Sequence, residues 1–135
     1  MKNNYQITEN DKKKLRNMLA KDEIRQRENP AILKKIQDKI ENAAVISQMD
    51  APSYLVTMNS HIKVIHLSEN KELSFWLAYP DEINQRKDRL SVFTDLGLEV
   101  LGRKVGDTFE IGESNETFRI SGIYYQPEFN KHYKL

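Results

Sequence analysis

The sequence contains no cysteine, which excludes disulfides, thiolate chemistry and cysteine-ligated zinc. It has no stretch approaching the ~18 apolar residues that a membrane span needs. The opening segment, MKNNYQITENDKKK, lacks the apolar centre of a secretion signal. A cytoplasmic protein with no membrane partner is the expectation. Net charge is nearly absent too: 21 Lys and Arg stand against 20 Asp and Glu, leaving +1. Whole-chain electrostatics therefore gives little reason to expect direct, sequence-specific nucleic-acid binding.

What is present is enough for one modest core. The chain has 135 residues, of which 39% are apolar. That size fits one domain, or a small domain with an appendage. Charge is unevenly divided: residues 1–50 carry an excess of three positive charges and residues 51–135 an excess of two negative ones. A solvated helical arm on a slightly acidic body accounts for that split.

Hydrophobic spacing locates the arm. Thr8 is placed to open a helix, with Asp11 three residues on, and Leu15, Met18 and Leu19 fall at helical intervals. The pattern weakens across Lys21–Glu28. Asn29-Pro30 then restarts a helix with a good N-cap followed by proline at the first helical position. Ile32, Leu33, Ile36, Ile40, Ala43 and Ala44 form its stripe. The expectation is an antiparallel helical hairpin, a short coiled coil over residues 1–50, with arms of roughly 14–18 residues or about 20–27 Å.

Asp50-Ala51-Pro52-Ser53 interrupts the helical period, so a second domain is expected over residues 51–135. Tyr54–Met58 and His61–Leu67 read as strands. Leu73, Phe75, Leu77 and Tyr79 alternate on one face of another, with Trp76 out of phase. Trp76 is read as belonging to a second packed face, under a helix or against the hairpin. A polar loop follows over Asp81–Arg89, and Gly112–Asn115 is read as a turn. Phe118 and Ile120 share one parity and Ile123 and Tyr125 the other, which predicts a bulge at Ser121-Gly122. The fold class is α+β: a helical hairpin, then an antiparallel sheet with one short helix.

No residue set announces a chemistry by spacing alone. His61 and His66 differ by an odd number, so a regular strand sends them to opposite faces. With His132 they read as surface or rim histidines, not a metal site. Lys12-Lys13-Lys14 with Arg16 reads as a solvated helix face.

The stretch Leu90–Asp107, LSVFTDLGLEVLGRKVGD, reads as a strand end, a short helix capped by Thr94, and a tight turn at Gly106-Asp107. Together with Val56-Thr57-Met58-Asn59-Ser60 and Tyr125-Gln126-Pro127-Glu128, it resembles the C-terminal domain of the GreA/GreB/Rnk family. The shorter, Rnk-like members are the nearest in pattern. The resemblance implies an FKBP-like fold that docks at the rim of the RNA polymerase secondary channel, against a coiled coil of the largest subunit. Phe93, Thr94, Asp95 and Leu96 occupy the family's contact segment, with Asp95 where proline is common. The family's longer coiled coils carry two acidic residues at the tip, which help hold a catalytic magnesium ion. Asp22, Glu23 and Glu28 hold the corresponding place. Lys21, Arg25 and Arg27 dilute their field, and the arm is about half the usual length.

The reading is accordingly a non-enzymatic, monomeric polymerase-binding factor with no cofactor or metal of its own. It would compete with longer channel-binding factors without stimulating transcript cleavage. A genuine cleavage factor, a binding module that has left polymerase, and a residual prolyl isomerase remain as alternatives. For the last, Phe75, Tyr79, Phe109 and Phe118 are read as core instead of a pocket.

Overall fold

A computed structural model describes residues 5–83, 87–112 and 116–132. Part of the Asp81–Arg89 loop and most of the Gly112–Asn115 turn lie outside those residues. The arm starts with strand β1 (Gln6–Thr8) and continues through helices α1 (Glu9–Leu19), α2 (Asp22–Arg27) and α3 (Pro30–Asn42) to strand β2 (Ala44–Ile46). The body holds β3 (His61–His66), β4 (Lys71–Ala78), β5 (Arg89–Ser91), α4 (Asp95–Val100), β6 (Thr108–Ile111) and β7 (Glu116–Tyr125).

The helix starts follow local chemistry. Thr8 Oγ1 accepts the Asp11 amide at 3.1 Å, and Asn29 Oδ1 accepts that of Ala31 at 2.8 Å, with Pro30 at the first helical position. The arm nevertheless departs from a plain hairpin. Lys21–Glu28, expected as a solvated tip, contains α2, and its Ile24 is only 2% exposed. One apolar side chain in a charged run suffices to turn that run inward once a core lies beneath it. The long helices are also shorter than expected: 11 and 13 residues, or about 17 and 20 Å. Ala44, expected in the second stripe, lies instead in β2 and is exposed. β1 and β2 pair in parallel, Gln6 opposite Ala44 and Thr8 opposite Ile46.

The five-stranded sheet has the order β5-β4-β3-β7-β6. It is antiparallel except at one edge, where β5 runs parallel to β4 with Trp76 beside Arg89. A 3-10 turn at Pro80–Glu82 starts the longer return that this direction requires. Tyr54–Met58 is not a strand. It makes a single bridge, Leu55 to Lys104, with irregular bonds from Val56 N to Arg103 O (2.9 Å) and Gly102 N to Val56 O (3.0 Å). Asn59, at φ 66°, turns the chain before a straight strand can form.

The alternation of β7 is interrupted twice. Opposite β3 the register steps from Ile120 to Gly122, skipping Ser121, which is the expected bulge. It steps again from Ile123 to Tyr125, skipping Tyr124. The first step returns Ile123 to the inner face and the second puts Tyr125 on the outer face. The inner face, including Ile62, Val64, Phe75, Leu77, Phe118 and Ile120, is buried with Tyr79 and Phe109. Leu15, Met18, Ile24, Ile36 and Ile40 of the arm belong to the same apolar cluster. The arm thus lies on the body's core. Among the described residues no helix is long and apolar enough to cross a membrane.

Candidate functional site

The expected contact segment is built by three neighbouring residues. Ser91 Oγ accepts the Phe93 amide at 3.0 Å. The Thr94 hydroxyl donates to Ser91 O at 2.7 Å and accepts the Gly97 amide at 3.0 Å, capping α4. Gly97 packs so tightly that a Cβ there would stand 2.1 Å from Ser91 O. Phe93 points into the core and is 5% exposed. Thr94 and Leu96 are half-buried, and Asp95 is exposed at the first turn. What this segment exposes is therefore Asp95 flanked by the edges of Thr94 and Leu96.

The other end of α4 is held by two cations. Lys39 of α3 donates from Nζ to Leu98 O (2.6 Å) and Glu99 O (3.1 Å), and lies 4.2 Å from the Tyr5 ring centroid. Arg103 donates from Nε to Glu99 O (2.7 Å) and from Nη2 to the Tyr5 hydroxyl (3.0 Å) and Glu99 Oε1 (2.9 Å). Unpaired carbonyls at a helix C-terminus attract positive charge, and these two groups satisfy them. Burial lowers the Lys39 amine to about 7, with Glu99 opposing the shift and Arg103 adding to it.

The arm's carboxylates do not converge. Asp22 is ion-paired with Arg25, one turn on in α2. Glu23 is exposed. Glu28 accepts from Arg27 Nε at 3.1 Å, and Arg27 Nη2 reaches Asp81 of the body at 3.4 Å. Among the described residues no three His, Asp or Glu side chains are grouped so as to hold a metal ion.

Sequence reasoning passed over a buried polar network between arm and body. Asp11, fully buried, accepts the Met58 amide at 3.0 Å on Oδ2 and the Tyr79 hydroxyl at 3.4 Å on Oδ1. Thr57 donates to Glu128 at 2.7 Å and lies 3.0 Å from the Ser60 hydroxyl. Burial, reinforced by Glu128, raises the Asp11 carboxyl to about 7, against hydrogen bonds from Met58 and Thr8 and the charge of Lys14. Glu128 is raised by its own burial and lowered by the Thr57 bond. Next to it, Gln126 Nε2 donates to Pro52 O (2.6 Å) and Leu55 O (2.7 Å). The Gln-Pro-Glu signature thus fastens the chain's end to the start of the body, which was its available clue.

Trp76 is not packed beneath a helix or the hairpin. It lies half-exposed on the outer face of the sheet, stacked on His61 at 4.5 Å and 15°, with Tyr125 at 5.4 Å. Tyr124, lifted by the second bulge and 62% exposed, covers the His61 ring at 4.9 Å. His66 takes the inner face, as its parity requires. It is buried there and not a rim residue: it stacks on Phe118 at 4.4 Å and pairs through Nδ1 with Glu69 at 3.0 Å.

Residues 51–125 match the family model for the transcription elongation factor GreA/GreB C-terminal region. That span covers more than half of the sequence and contains β3 to β7 with α4. The chain belongs to the GreA/GreB family. GreA of Christiangramia forsetii is 30% identical over 91 residues, 67% of this chain and 58% of that protein. The chain therefore matches little more than half the length of that GreA. The regulator of nucleoside diphosphate kinase of Escherichia coli K12 is 31% identical over 100 residues, 72% of this chain and 74% of that one. A solved GreA/GreB elongation factor from Nitrosomonas europaea superposes with a TM-score of 0.72 at 23% identity. It covers 92% of this chain and all of the other, so the GreA/GreB fold is shared through the arm as well as the body.

Proposed function

We propose that this GreA/GreB family member is a non-enzymatic RNA polymerase-binding transcription factor, nearest in build to the short Rnk type. Its curled sheet around one short helix is read as FKBP-like, in the binding and not the isomerase sense. It docks as a monomer at the secondary-channel rim through the start of α4, and competes there with longer channel-binding factors. It does not stimulate transcript cleavage.

One observation carries this reading: the family-matched body keeps α4 with a fully capped start, while the arm ahead of it is short and lies on the body. Helices of about 17 and 20 Å cannot carry a carboxylate far beyond a docked domain. The pairing of Asp22 with Arg25 and Glu28 with Arg27 removes much of the negative field that a second magnesium ion would need.

The test is capture of core RNA polymerase by the purified chain, with and without excess cleavage factor, followed by an RNA cleavage assay on backtracked complexes. Competable capture without cleavage is the expected result. Capture that the cleavage factor does not displace would move the site away from the channel rim. Cleavage lost on changing Asp22, Glu23 or Glu28 to Ala would make the chain a cleavage factor.

A further inference from the structure

The helix that presents Asp95 cannot hold its own position. α4 has only six residues, and its backbone is tied off at the two caps by Leu98 N to Thr94 O at 2.9 Å and Leu101 N to Gly97 O at 3.4 Å. A helix this short is unstable alone, so neighbouring groups fix its direction. Those at its start, Ser91, Thr94 and Gly97, are local in sequence. So is Arg103 at its end. Lys39 differs: its amine arrives from the arm, 59 residues away along the chain, and the residue as a whole is only 8% exposed.

The geometry points to Lys39 as a positioning residue through which the arm sets the orientation of α4, and with it the Thr94–Leu96 surface shown to polymerase. This rests on the polymerase reading above. The arm is itself held in place independently of Lys39. β1 and β2 close its base, Asp11 bonds the Met58 amide, and Arg27 reaches Asp81. A side chain anchored in so fixed an element transmits that position to the two carbonyls it grips. N–H groups facing the C-terminal carbonyls of a helix are also the favourable polarity. Tyr5, packed under both Lys39 and Arg103, keeps the two side chains together on the Glu99 carbonyl they share.

The experiment compares Lys39→Met, which keeps the apolar stem and loses the charge, with Lys39→Arg, which keeps the charge. Lys34→Met on the same helix removes an equal charge from an exposed position with no partner on α4. Core-polymerase affinity and amide exchange across α4 and β3 are measured on the full chain. Lys39→Met is expected to weaken polymerase binding about tenfold and speed exchange in α4 while β3 stays protected. Lys39→Arg retains most of the affinity, and Lys34→Met matches the wild type.

Equal binding by Lys39→Met and wild type overturns the proposal and leaves the polymerase reading standing. No binding by the wild type overturns that reading and the proposal with it. Should Lys39→Met fail to fold, Ile36→Val loosens α3 mildly without touching the amine. Exchange in α4 then accelerates together with α3 if the two are coupled, and α4 exchange unchanged while α3 loosens overturns the proposal.

Discussion

Asp11 on the arm and Met58 on the body are joined by a hydrogen bond of 3.0 Å from the Met58 amide to a carboxylate with no exposed surface. The bond crosses 47 residues of sequence and fixes the first turn of α1 against the loop that leads into the sheet. A carboxylate in that setting resists ionisation, because burial removes its hydration and Glu128 lies near.

A pH dependence follows from Asp11. Its carboxyl is raised from 3.8 to about 7 in the folded chain. Between those values the folded state holds a proton that the unfolded state has released. Stability contributed at this site is therefore full below about pH 4 and declines as pH rises to about 7. The limit is about 4 kcal/mol. Asp11→Asn removes the titration, so its stability relative to wild type is expected to improve steadily from pH 4 to pH 7 in urea unfolding. A difference that stays constant with pH would show that Asp11 is ionised in the fold.

Gly97 offers a test of packing against propensity. Alanine is ordinarily favoured over glycine in a helix by about 1 kcal/mol. Here the added carbon would stand 2.1 Å from the Ser91 carbonyl oxygen, a backbone atom that cannot swing aside. Gly97→Ala is expected to destabilise by about 1–3 kcal/mol, the range for overpacking. Thermal unfolding of the variant above the wild-type midpoint would contradict the tight turn.

The middle of the arm is expected to behave as packed structure. Ile24→Ala should cost about 2–5 kcal/mol, as for a buried isoleucine. Asp22→Ala should cost less than about 1 kcal/mol, because its ion pair with Arg25 is exposed on both sides. Equal, small effects from both substitutions in denaturant titrations would restore a solvated tip.

Asp95 can be tested by the residue common at its place in the family. Thr94 already has φ −131° and ψ 162°, the extended conformation a residue before proline prefers. Asp95 sits at the first helical position, where a missing amide costs no internal bond. The loss of an acid facing the helix dipole and the gain from a stiffer unfolded chain are both under about 1 kcal/mol and oppose each other. Asp95→Pro is expected to leave stability within about 1 kcal/mol of wild type and to tighten polymerase binding. Weaker binding by a folded variant would assign the contact to the aspartate itself.

What the sequence disclosed was local. Thr8, Asn29-Pro30 and Thr94 cap helices as their chemistry requires, because capping is decided within three residues. The Ser121 bulge was visible because one skipped residue inverts parity. The Tyr124 bulge was hidden because a second inversion restores the pattern. The pairing of β1 with β2, the burial of Asp11 and the inward turn of Ile24 all depend on partners far along the chain. Trp76 was out of phase and faces outward as expected, but its packing against the rings of His61 and Tyr125, from the two strands beyond β4 in the sheet, and not under a helix, also depends on distant partners. Phe93 was expected at a contact surface on the strength of its segment. Its burial in the apolar cluster joins it to residues far along the chain, which one-dimensional spacing does not carry.

The parallel pairing of β1 with β2 clips together the two ends of the arm's helical segment, which leaves after Thr8 and returns at Ala44, opposite Gln6. Everything from Glu9 to Asn42 is, in mechanical terms, one closed loop attached at that clip and laid on the body. Lengthening such an attachment costs little, since each doubling of a closed loop adds only about 0.6 kcal/mol of closure entropy. A lineage could therefore exchange a short arm for a long one, or the reverse, without rebuilding the sheet.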